Sequence, residues 1–333
     1  MEYQVLARDT NGALAYKGAG DIGLGIPDFF SAGTAYFVKP ASGDDDNDGL
    51  TPGGALKTLA AALALAQANT GDTVYLIAES NTASGTTDYQ AAALDWNKDG
   101  VHLIGVNNGS FIGQRSRIAE RSSVKTIEDL FTVSADNCLI ANIEVFQGVA
   151  TYTGTAARAV VVSGQRNRFY NCQFSGNGDT GGTTDDAGAR SLAVTGAENL
   201  FQHCYIGLDT VIRATQTCEV FVGAVARTVF EDCMINSYTS LSTFKALQAT
   251  SMDRFVLLKN CIFNAVTGIT SAVAPTGAIG NTTPNGKLLM LGGGVFGYAD
   301  VTTADDAGTL LLSYSGLAAN VVDQGVAKAT DVA

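Results

Sequence analysis

The sequence predicts an all-β protein, a right-handed single-stranded parallel β-helix with an N-terminal capping helix. Three observations predict this fold. A strand-and-turn pattern recurs about every thirty residues, apolar and polar residues alternate within each repeat, and glycine is frequent (38 residues) while proline is rare (5 residues). A fixed step of this length corresponds to one coil of a solenoid, and the alternation corresponds to a half-buried strand.

The repeat is clearest in three windows that align without gaps, Val133–Val145, Val162–Phe174 and Val194–Ile206, and weaker copies end at Ile235 and Phe263. One apolar column of the alignment contains Ile140, Phe169, Phe201, Phe230 and Leu258. A second column contains Ile143, Cys172, Cys204, Cys233 and Cys261, and a third contains Val145, Phe174, Ile206, Ile235 and Phe263. Because stacked coils place like residues about 4.8 Å apart, these columns are predicted to form ladders inside the core.

A polar residue stands between the phenylalanine and cysteine columns in every repeat. This polar ladder contains Asn142, Asn171, His203, Asp232 and Asn260. Asn, Asp and His at a fixed place between two strands are typical of a bend, where the side chain can hydrogen-bond the backbone of the next coil.

The cysteine column has an alternative interpretation as a metal site or a row of disulfides. A disulfide needs Cβ atoms within about 4.5 Å and a specific dihedral angle, which stacked parallel neighbours rarely achieve. Free cysteine behaves as a small buried apolar residue, and this also explains Ile143 in the same column. A leucine-rich repeat is disfavoured because Leu-rich helical segments are absent from the repeats.

Composition limits the function. Apolar residues make up 46 % of the chain, which is enough for a large core, and the formal net charge is −12, which disfavours binding to nucleic acid or to an anionic membrane. The sequence predicts no signal peptide, since Met1–Val5 has no basic start and no apolar segment follows it. No run of 18 apolar residues predicts a membrane span, and the six cysteines are expected to stay reduced.

The chain divides into three predicted regions. Residues 1–35 lack the repeat and are predicted to form an arm that docks on a neighbour, with a simple loop as the alternative. Residues 36–275 are predicted to form the β-helix, with a capping helix near residues 57–69 that begins at Thr58 and ends by Gly71. Residues 276–333 contain further strand-like segments and a tail, which are predicted to form a cap or a subunit contact.

The N-terminal part of the predicted β-helix resembles a known group. Tyr36–Val38, Gly43–Gly49, Lys57–Leu59 and Gly71–Tyr75 resemble the first unit of pectate-lyase-like right-handed β-helix proteins. Asp99–Val106 and Gln114–Ile118 resemble the second part of that unit in β-helix proteins of tailed-phage virions. The resemblance covers about residues 36–265. It implies the fold, which serves lyases, hydrolases, adhesins and phage structural parts alike.

The acidic loop after the first predicted strand matches half of a calcium motif. Asp44, Asp46, Asp48 and Gly49 fit the start of an EF-hand loop, but the twelfth position is Ala55 instead of Glu. A calcium site at Asp44, Asp46 and Asp48 is therefore one expectation, and a surface turn capped by Asp and Asn is the other. No other cofactor is predicted.

The sequence offers few groups for catalysis. The predicted outward positions are mixed: Gln165, Arg168, Glu198, Gln202, Thr228 and Glu231. A lyase site would rest on Arg166 and Arg168 with Glu231 and Asp232, and a glycosidase would need two carboxylates roughly 5–10 Å apart. His102 is expected in a strand and His203 in the polar ladder.

These observations lead to one main functional expectation and two alternatives. The first is a non-enzymatic structural protein of a tailed-phage virion, a capsid decoration protein in contact with the major capsid protein, assembled in the host cytoplasm as a homotrimer. The alternatives are a tail-spike-type polysaccharide depolymerase or lyase, and a host-receptor adhesin without catalysis. Carbohydrate is the small-molecule partner that the two alternatives require.

Overall fold

The computed structural model describes residues 33–77, 90–107, 112, 116–121, 123–124, 126–148, 157–176, 178, 187–223, 226–269, 271–282 and 286–302, and the backbone of residues 309–313 and 326–328. The chain forms a parallel β-helix with three strands in each full coil. Three sheets therefore run along the molecule, here named sheets A, B and C.

Sheet A has eleven strands, which in their spatial order are β1 (Ala35–Val38), β2 (Thr73–Ile77), β4 (His102–Val106), β7 (Leu139–Ala141), β10 (Arg168–Tyr170), β13 (Leu200–Gln202), β16 (Thr228–Glu231), β19 (Phe255–Lys259), β22 (Lys287–Leu291), β24 (Thr309–Ser313) and β25 (Val326–Lys328). Neighbouring strands pair in parallel up to β24, and β25 pairs with β24 in antiparallel.

Sheets B and C have seven parallel strands each. Sheet B contains β5 (Arg117–Ala119), β8 (Glu144–Phe146), β11 (Gln173–Ser175), β14 (Tyr205–Gly207), β17 (Met234–Ser237), β20 (Ile262–Ala265) and β23 (Gly294–Phe296). Sheet C contains β3 (Leu94–Trp96), β6 (Asp129–Val133), β9 (Arg158–Val162), β12 (Arg190–Val194), β15 (Cys218–Gly223), β18 (Lys245–Thr250) and β21 (Ile279–Asn281). The fold class predicted from the repeat is thereby confirmed.

The phenylalanine column forms a continuous stack inside the coils. Phe169 pairs with Phe201 in register and Phe201 with Phe230, and all three side chains are fully buried. The ring centroids of Phe169 and Phe201 lie 4.7 Å apart with an interplanar angle of 7°, and those of Phe201 and Phe230 lie 4.6 Å apart at 9°. The strand spacing thus imposes ring-on-ring contact along the core.

The cysteine column lies beside this stack. Cys172, Cys204, Cys233 and Cys261 are buried free thiols. Each sulfur contacts a carbonyl oxygen of the previous coil, as in the 3.4 Å approach of Cys233 Sγ to Phe201 O. Burial away from water raises the pKa of the Cys204 thiol well above its usual value. These thiols therefore serve as small core residues that also satisfy backbone carbonyls.

The polar ladder forms the corner between sheets A and B. Its members all adopt the left-handed conformation, with φ values of 55° at Asn142, 51° at Asn171, 52° at His203, 52° at Asp232 and 52° at Asn260. The main-chain N–H of each residue donates to a carbonyl of the next coil, for example Asn171 N to Gln202 O at 2.9 Å. The inter-coil bond predicted for the side chain is thus made by the backbone, while Asn171 Nδ2 bonds Asn142 Oδ1 at 2.8 Å.

The capping helix α1 (Leu59–Leu65) is shorter than the predicted segment near residues 57–69. Thr58 caps it, since its Oγ1 accepts from Ala61 N at 3.1 Å. It ends early because Ala66 is extended (ψ 149°), and because Lys98 Nζ donates to the carbonyl oxygens of Ala64 and Ala66. Leu59 and Leu63 join the core of the coils, so the helix covers their N-terminal end.

The coils continue beyond the boundary predicted at residue 275. Strands β21, β22 and β23 complete another coil in register with β18, β19 and β20. The repeat is hidden there because Gly292 and Gly293 occupy the polar and cysteine columns. Gly292 keeps the left-handed corner (φ 71°), and a Cβ on Gly293 would come within 2.0 Å of Cys261 O.

Most of the predicted N-terminal arm lies outside the described residues. Within the described residues, no helix is long and apolar enough to cross a membrane.

Candidate functional site

The acidic loop does not gather its carboxylates around a common centre. Asp44 Oδ1 accepts from Asp46 N at 3.1 Å, and Asp48 Oδ1 accepts from Leu50 N at 3.0 Å. These are local turns closed by Asp side chains. Among the residues that the structure describes, no group of three or more His, Cys, Asp or Glu side chains is placed to hold a metal ion. The loop thus has the geometry of the capped-turn alternative, and the calcium site at Asp44, Asp46 and Asp48 stays a prediction.

Asp45 gives this loop its structural role. Its Oδ1 accepts from Lys57 N at 2.9 Å and from Thr58 N at 2.8 Å, and its Oδ2 accepts from Thr58 Oγ1 at 2.9 Å. The carboxylate thus binds the backbone just before the capping helix, where free N–H groups need acceptors. The loop holds the helix in place over the end of the coils.

A polar cluster lies on the outer face of sheet A, across four successive strands from β10 to β19. We name it the outer-face cluster, and its members are Arg168, Tyr170, Gln202, His203, Glu231 and Lys259. The position immediately before the polar ladder supplies Tyr170, Gln202, Glu231 and Lys259, which stand in register. Because the inward neighbours Phe169, Phe201, Phe230 and Leu258 belong to the core, these four side chains face outward.

Hydrogen bonds connect the cluster along the molecule. Arg168 Nε donates to Gln202 Oε1 at 2.7 Å, and Gln202 Nε2 donates to Glu231 Oε2 at 2.8 Å. Lys259 Nζ donates to the other carboxylate oxygen of Glu231. The result is an unbroken chain of charged and amide groups with one member on each coil.

An aromatic ring stands beside this chain. The guanidinium carbon of Arg168 lies 5.3 Å from the centroid of the Tyr170 ring, which is a cation–π contact. The His203 ring meets Tyr170 edge-on, with centroids 5.4 Å apart and an interplanar angle of 87°. Tyr170 is half-buried and His203 is exposed, so the cluster offers both an apolar ring and polar groups to solvent.

The electrostatics of Glu231 follow from its partners. The hydrogen bonds from Lys259 and Gln202 lower the pKa of the Glu231 carboxyl, and the same contact raises the pKa of Lys259. Glu231 is therefore held as a carboxylate. A general acid for glycoside cleavage needs a carboxyl whose pKa is raised, and Glu231 has the opposite shift.

A second charged group lies at the start of the same strands. Glu198 bonds Arg166 Nε at 2.8 Å and Arg227 Nε at 2.9 Å. The Arg227 hydrogen bond, with the charge of both arginines, lowers the pKa of the Glu198 carboxyl. Both predicted outward glutamates are thus paired with cations. The four residues expected for a lyase site are separated: Arg168 and Glu231 lie in the outer-face cluster, Arg166 pairs with Glu198, and Asp232 lies in the polar ladder.

The structure corrects one predicted outward position and adds features that the repeat does not show. Thr228 is fully buried, in contrast to the prediction. Buried Asn167 and Asn199 form an internal ladder, since Asn199 Oδ1 accepts from Asn167 N at 2.9 Å. Arg213 and Glu219 form a fully buried ion pair of 3.1 Å between a loop and β15. Arg213 lies in a loop, so the periodic pattern of the strands does not indicate it. Tyr170 and Lys259, in contrast, could have been found from the column before the polar ladder.

Known proteins resemble this chain in fold. No family model matches the chain, and no curated protein matches it by sequence. Solved structures do match. A rhamnogalacturonan lyase superposes with a TM-score of 0.51 at 16 % identity, over 78 % of this chain and 69 % of the lyase.

Two further structures have lower scores. A pectate lyase matches with a TM-score of 0.47 at 13 % identity, over 85 % of this chain and 78 % of that one. Tailspike protein 2 of the Escherichia coli O157:H7 bacteriophage CAB120 matches with a TM-score of 0.35 at 7 % identity, over 67 % of this chain and 39 % of the tailspike. At these identities the likeness concerns the fold, and this chain shares the parallel β-helix of the rhamnogalacturonan lyase.

Proposed function

We propose that the protein binds a polysaccharide along the outer face of sheet A without cleaving it, as a tail-spike-type component of a phage particle. The observation that carries this proposal is the hydrogen-bonded chain from Arg168 to Lys259 beside the Tyr170 ring. The phage particle comes from the resemblance of Asp99–Val106 and Gln114–Ile118 to β-helix proteins of tailed-phage virions.

The shape of the outer-face cluster suits an extended sugar chain. Its members repeat about every 4.8 Å, the spacing of neighbouring strands, so they form a linear track. Sugar hydroxyls need both donors and acceptors, and Arg168, Gln202 and Glu231 supply both kinds. The Tyr170 side chain adds an apolar ring with a polar hydroxyl, a combination that is enriched at interfaces where one end of the side chain is buried and the other is solvated.

The pairing of the acidic groups supports binding over cleavage. Glu231 and Glu198 are each held by cations, which favours their charged forms. Hydrolysis of a glycoside requires a protonated acid and a second carboxylate on opposite sides of the bond.

This proposal differs from the capsid decoration role that was the first expectation from the sequence. That role rests on the resemblance alone, whereas the outer-face cluster supports a tail-associated receptor-binding role. Mass spectrometry of purified virions would separate the two. We expect three to eighteen copies per particle, roughly the range of tail and spike proteins; hundreds of copies would support decoration instead.

The binding itself is tested with a panel of bacterial surface polysaccharides. We expect the wild-type protein to retain at least one of them, and Tyr170→Ala to weaken that binding by about tenfold, which corresponds to about 1.4 kcal/mol. Phe221→Ala is the matched control, since Phe221 on sheet C also has an arginine, Arg190, over its ring at 5.9 Å.

Two outcomes of the binding experiment would contradict the proposal. Equal loss of binding in Phe221→Ala and Tyr170→Ala would show that the outer-face cluster is not the site. Release of reducing or unsaturated sugars from the bound polysaccharide would show an enzyme, which is the depolymerase alternative.

A further inference from the structure

An apolar strip lies on the outer face of sheet A at its N-terminal end. This outer apolar strip consists of Phe37, Tyr75, Ile104, Leu139 and Ala141. Its members alternate with core residues such as Val74, Leu103 and Ile140, so they face away from the interior of the coils. Phe37 and Tyr75 stack with ring centroids 5.4 Å apart.

The strip is withdrawn from solvent although it faces outward. The exposed fraction is 2 % at Tyr75, 0 % at Ile104 and 4 % at Leu139. The register gives an internal comparison, because Leu200, Val229 and Leu257 stand in the same outward column as Leu139 and are partly exposed. The shape of the sheet alone therefore does not bury such side chains, and the strip requires a cover.

We propose that residues 1–32 of the same chain provide this cover. The segment ends next to the strip, since Gly33 leads directly into β1, the strand at that end of sheet A. The point at which the segment joins β1 is fixed by Asp72. Asp72 Oδ1 accepts from Thr34 N at 2.7 Å, and Asp72 Oδ2 accepts from Gln67 N at 2.8 Å.

The composition of the segment fits an apolar surface. It contains the closely spaced apolar residues Ile22, Leu24, Ile26, Phe29 and Phe30. Residues 78–89, which follow β2, are mainly polar. The chain beyond β24 begins eight strands from β2 in sheet A, about 38 Å away at the usual strand spacing. The N-terminal segment thus adjoins the strip through β1 and is more apolar than residues 78–89.

Photo-cross-linking of the full chain tests the proposal. A photoreactive phenylalanine analogue replaces Tyr75, and in a matched control it replaces Leu257, which faces outward on the same sheet without belonging to the strip. We expect illumination at position 75 to give peptides joined to residues 1–32, and the control to give none. Cross-links from position 75 only to other segments, or an equal yield from position 257, would overturn the proposal.

Isotope mixing identifies which copy supplies the cover. Chains labelled with ¹⁵N are unfolded together with unlabelled chains, refolded and then illuminated. Cross-linked peptides that carry a single isotope throughout support coverage by the same chain. A substantial fraction of mixed peptides would overturn it in favour of a second copy, which is the docking on a neighbour expected from the sequence.

A truncation provides a readout that does not depend on the analogue. Removal of residues 1–32 is expected to raise the fluorescence of a dye that binds apolar surface several-fold. The additional change Ile104→Glu in the truncated chain should reverse most of this increase, while Leu257→Glu should not. Unchanged dye fluorescence in a truncated chain with intact circular dichroism would contradict the inference.

Discussion

At the scale of single residues, His102 shows how burial sets chemistry in this protein. Its Nδ1 accepts from Leu139 N at 3.0 Å, which requires an unprotonated nitrogen, and burial lowers the pKa of the imidazole from 6.5 to about 4. His102 is therefore a neutral acceptor that joins two coils. His203, the second histidine, is exposed in the polar ladder and carries no such bond from the next coil to its ring among the described contacts.

The pH dependence of stability follows from His102. In the unfolded chain its pKa is about 6.5, so between pH 6.5 and about 4 the unfolded state binds a proton that the folded state does not bind. The stabilisation is present above pH 6.5 and is lost as the pH falls toward 4, by up to about 3 kcal/mol. Chemical denaturation at a series of pH values measures the loss.

Two substitutions isolate this contribution. His102→Gln should reduce the slope of the unfolding free energy between pH 6.5 and 4, while His203→Gln should keep it. Equal slopes in the wild type and His102→Gln would mean that another group is responsible.

At the scale of elements, the corner between sheets A and B repeats one backbone conformation. Five side-chain-bearing residues and Gly292 adopt positive φ at this corner, and the N–H of each of the five donates to the next coil. A left-handed conformation costs an ordinary residue about 1–2 kcal/mol, and Asn and Asp tolerate it best after glycine. This preference explains why the ladder is polar, separately from the contact that His203 makes with Tyr170 in the outer-face cluster.

Asn260 allows a clean test of the corner, because its side chain is exposed and φ is 52°. We expect Asn260→Gly to leave the free energy of unfolding within about 0.5 kcal/mol and Asn260→Val to lower it by about 1–2 kcal/mol, since a β-branched residue fits this conformation poorly. Denaturant titration of both variants provides the measurement. If valine and glycine gave the same stability, the backbone explanation of the ladder would be wrong.

At the scale of the whole molecule, the coils form a rod, and apolar side chains are exposed near its C-terminal end. Ile262, Leu291 and Phe296 are each more than two-fifths exposed, and they lie on β20 and β23 of sheet B and on β22 of sheet A. Such exposure on several neighbouring elements is typical of a protein–protein contact. It supports self-association, and we retain the homotrimer implied by the resemblance as a proposal.

The oligomeric state is measured by sedimentation at micromolar concentration. We expect a species with three times the chain mass of 34.4 kDa, and dissociation toward the monomer in Phe296→Asp, because a buried charge is costly. A wild-type protein that sediments as a monomer throughout would exclude the trimer under these conditions.

The sequence predicts the architecture well because the repeat records it directly. Alternation places Phe169 and Cys172 inside, and the step between windows fixes which residues stack. The features that could not be predicted depend on contacts without periodicity. Arg213 reaches Glu219 from a loop, where residues do not follow the repeat. In the coil that contains β22, glycines at positions 292 and 293 replace the polar and cysteine residues by which the repeat is recognised. The outer-face cluster could be predicted in part. The register of the repeat aligns Tyr170 with Lys259, but it does not predict the hydrogen bonds within the cluster.

The cysteine column gives the protein a built-in set of unfolding reporters. Cys172, Cys204, Cys233 and Cys261 occupy four successive coils and are each shielded from solvent, so a thiol-specific reagent reaches one only when its own coil opens. Brief labelling followed by peptide mass analysis would therefore show the order in which the rod comes apart, coil by coil, in the natural sequence and without an attached dye. The marker stands at the same place in consecutive turns, and it is a by-product of packing.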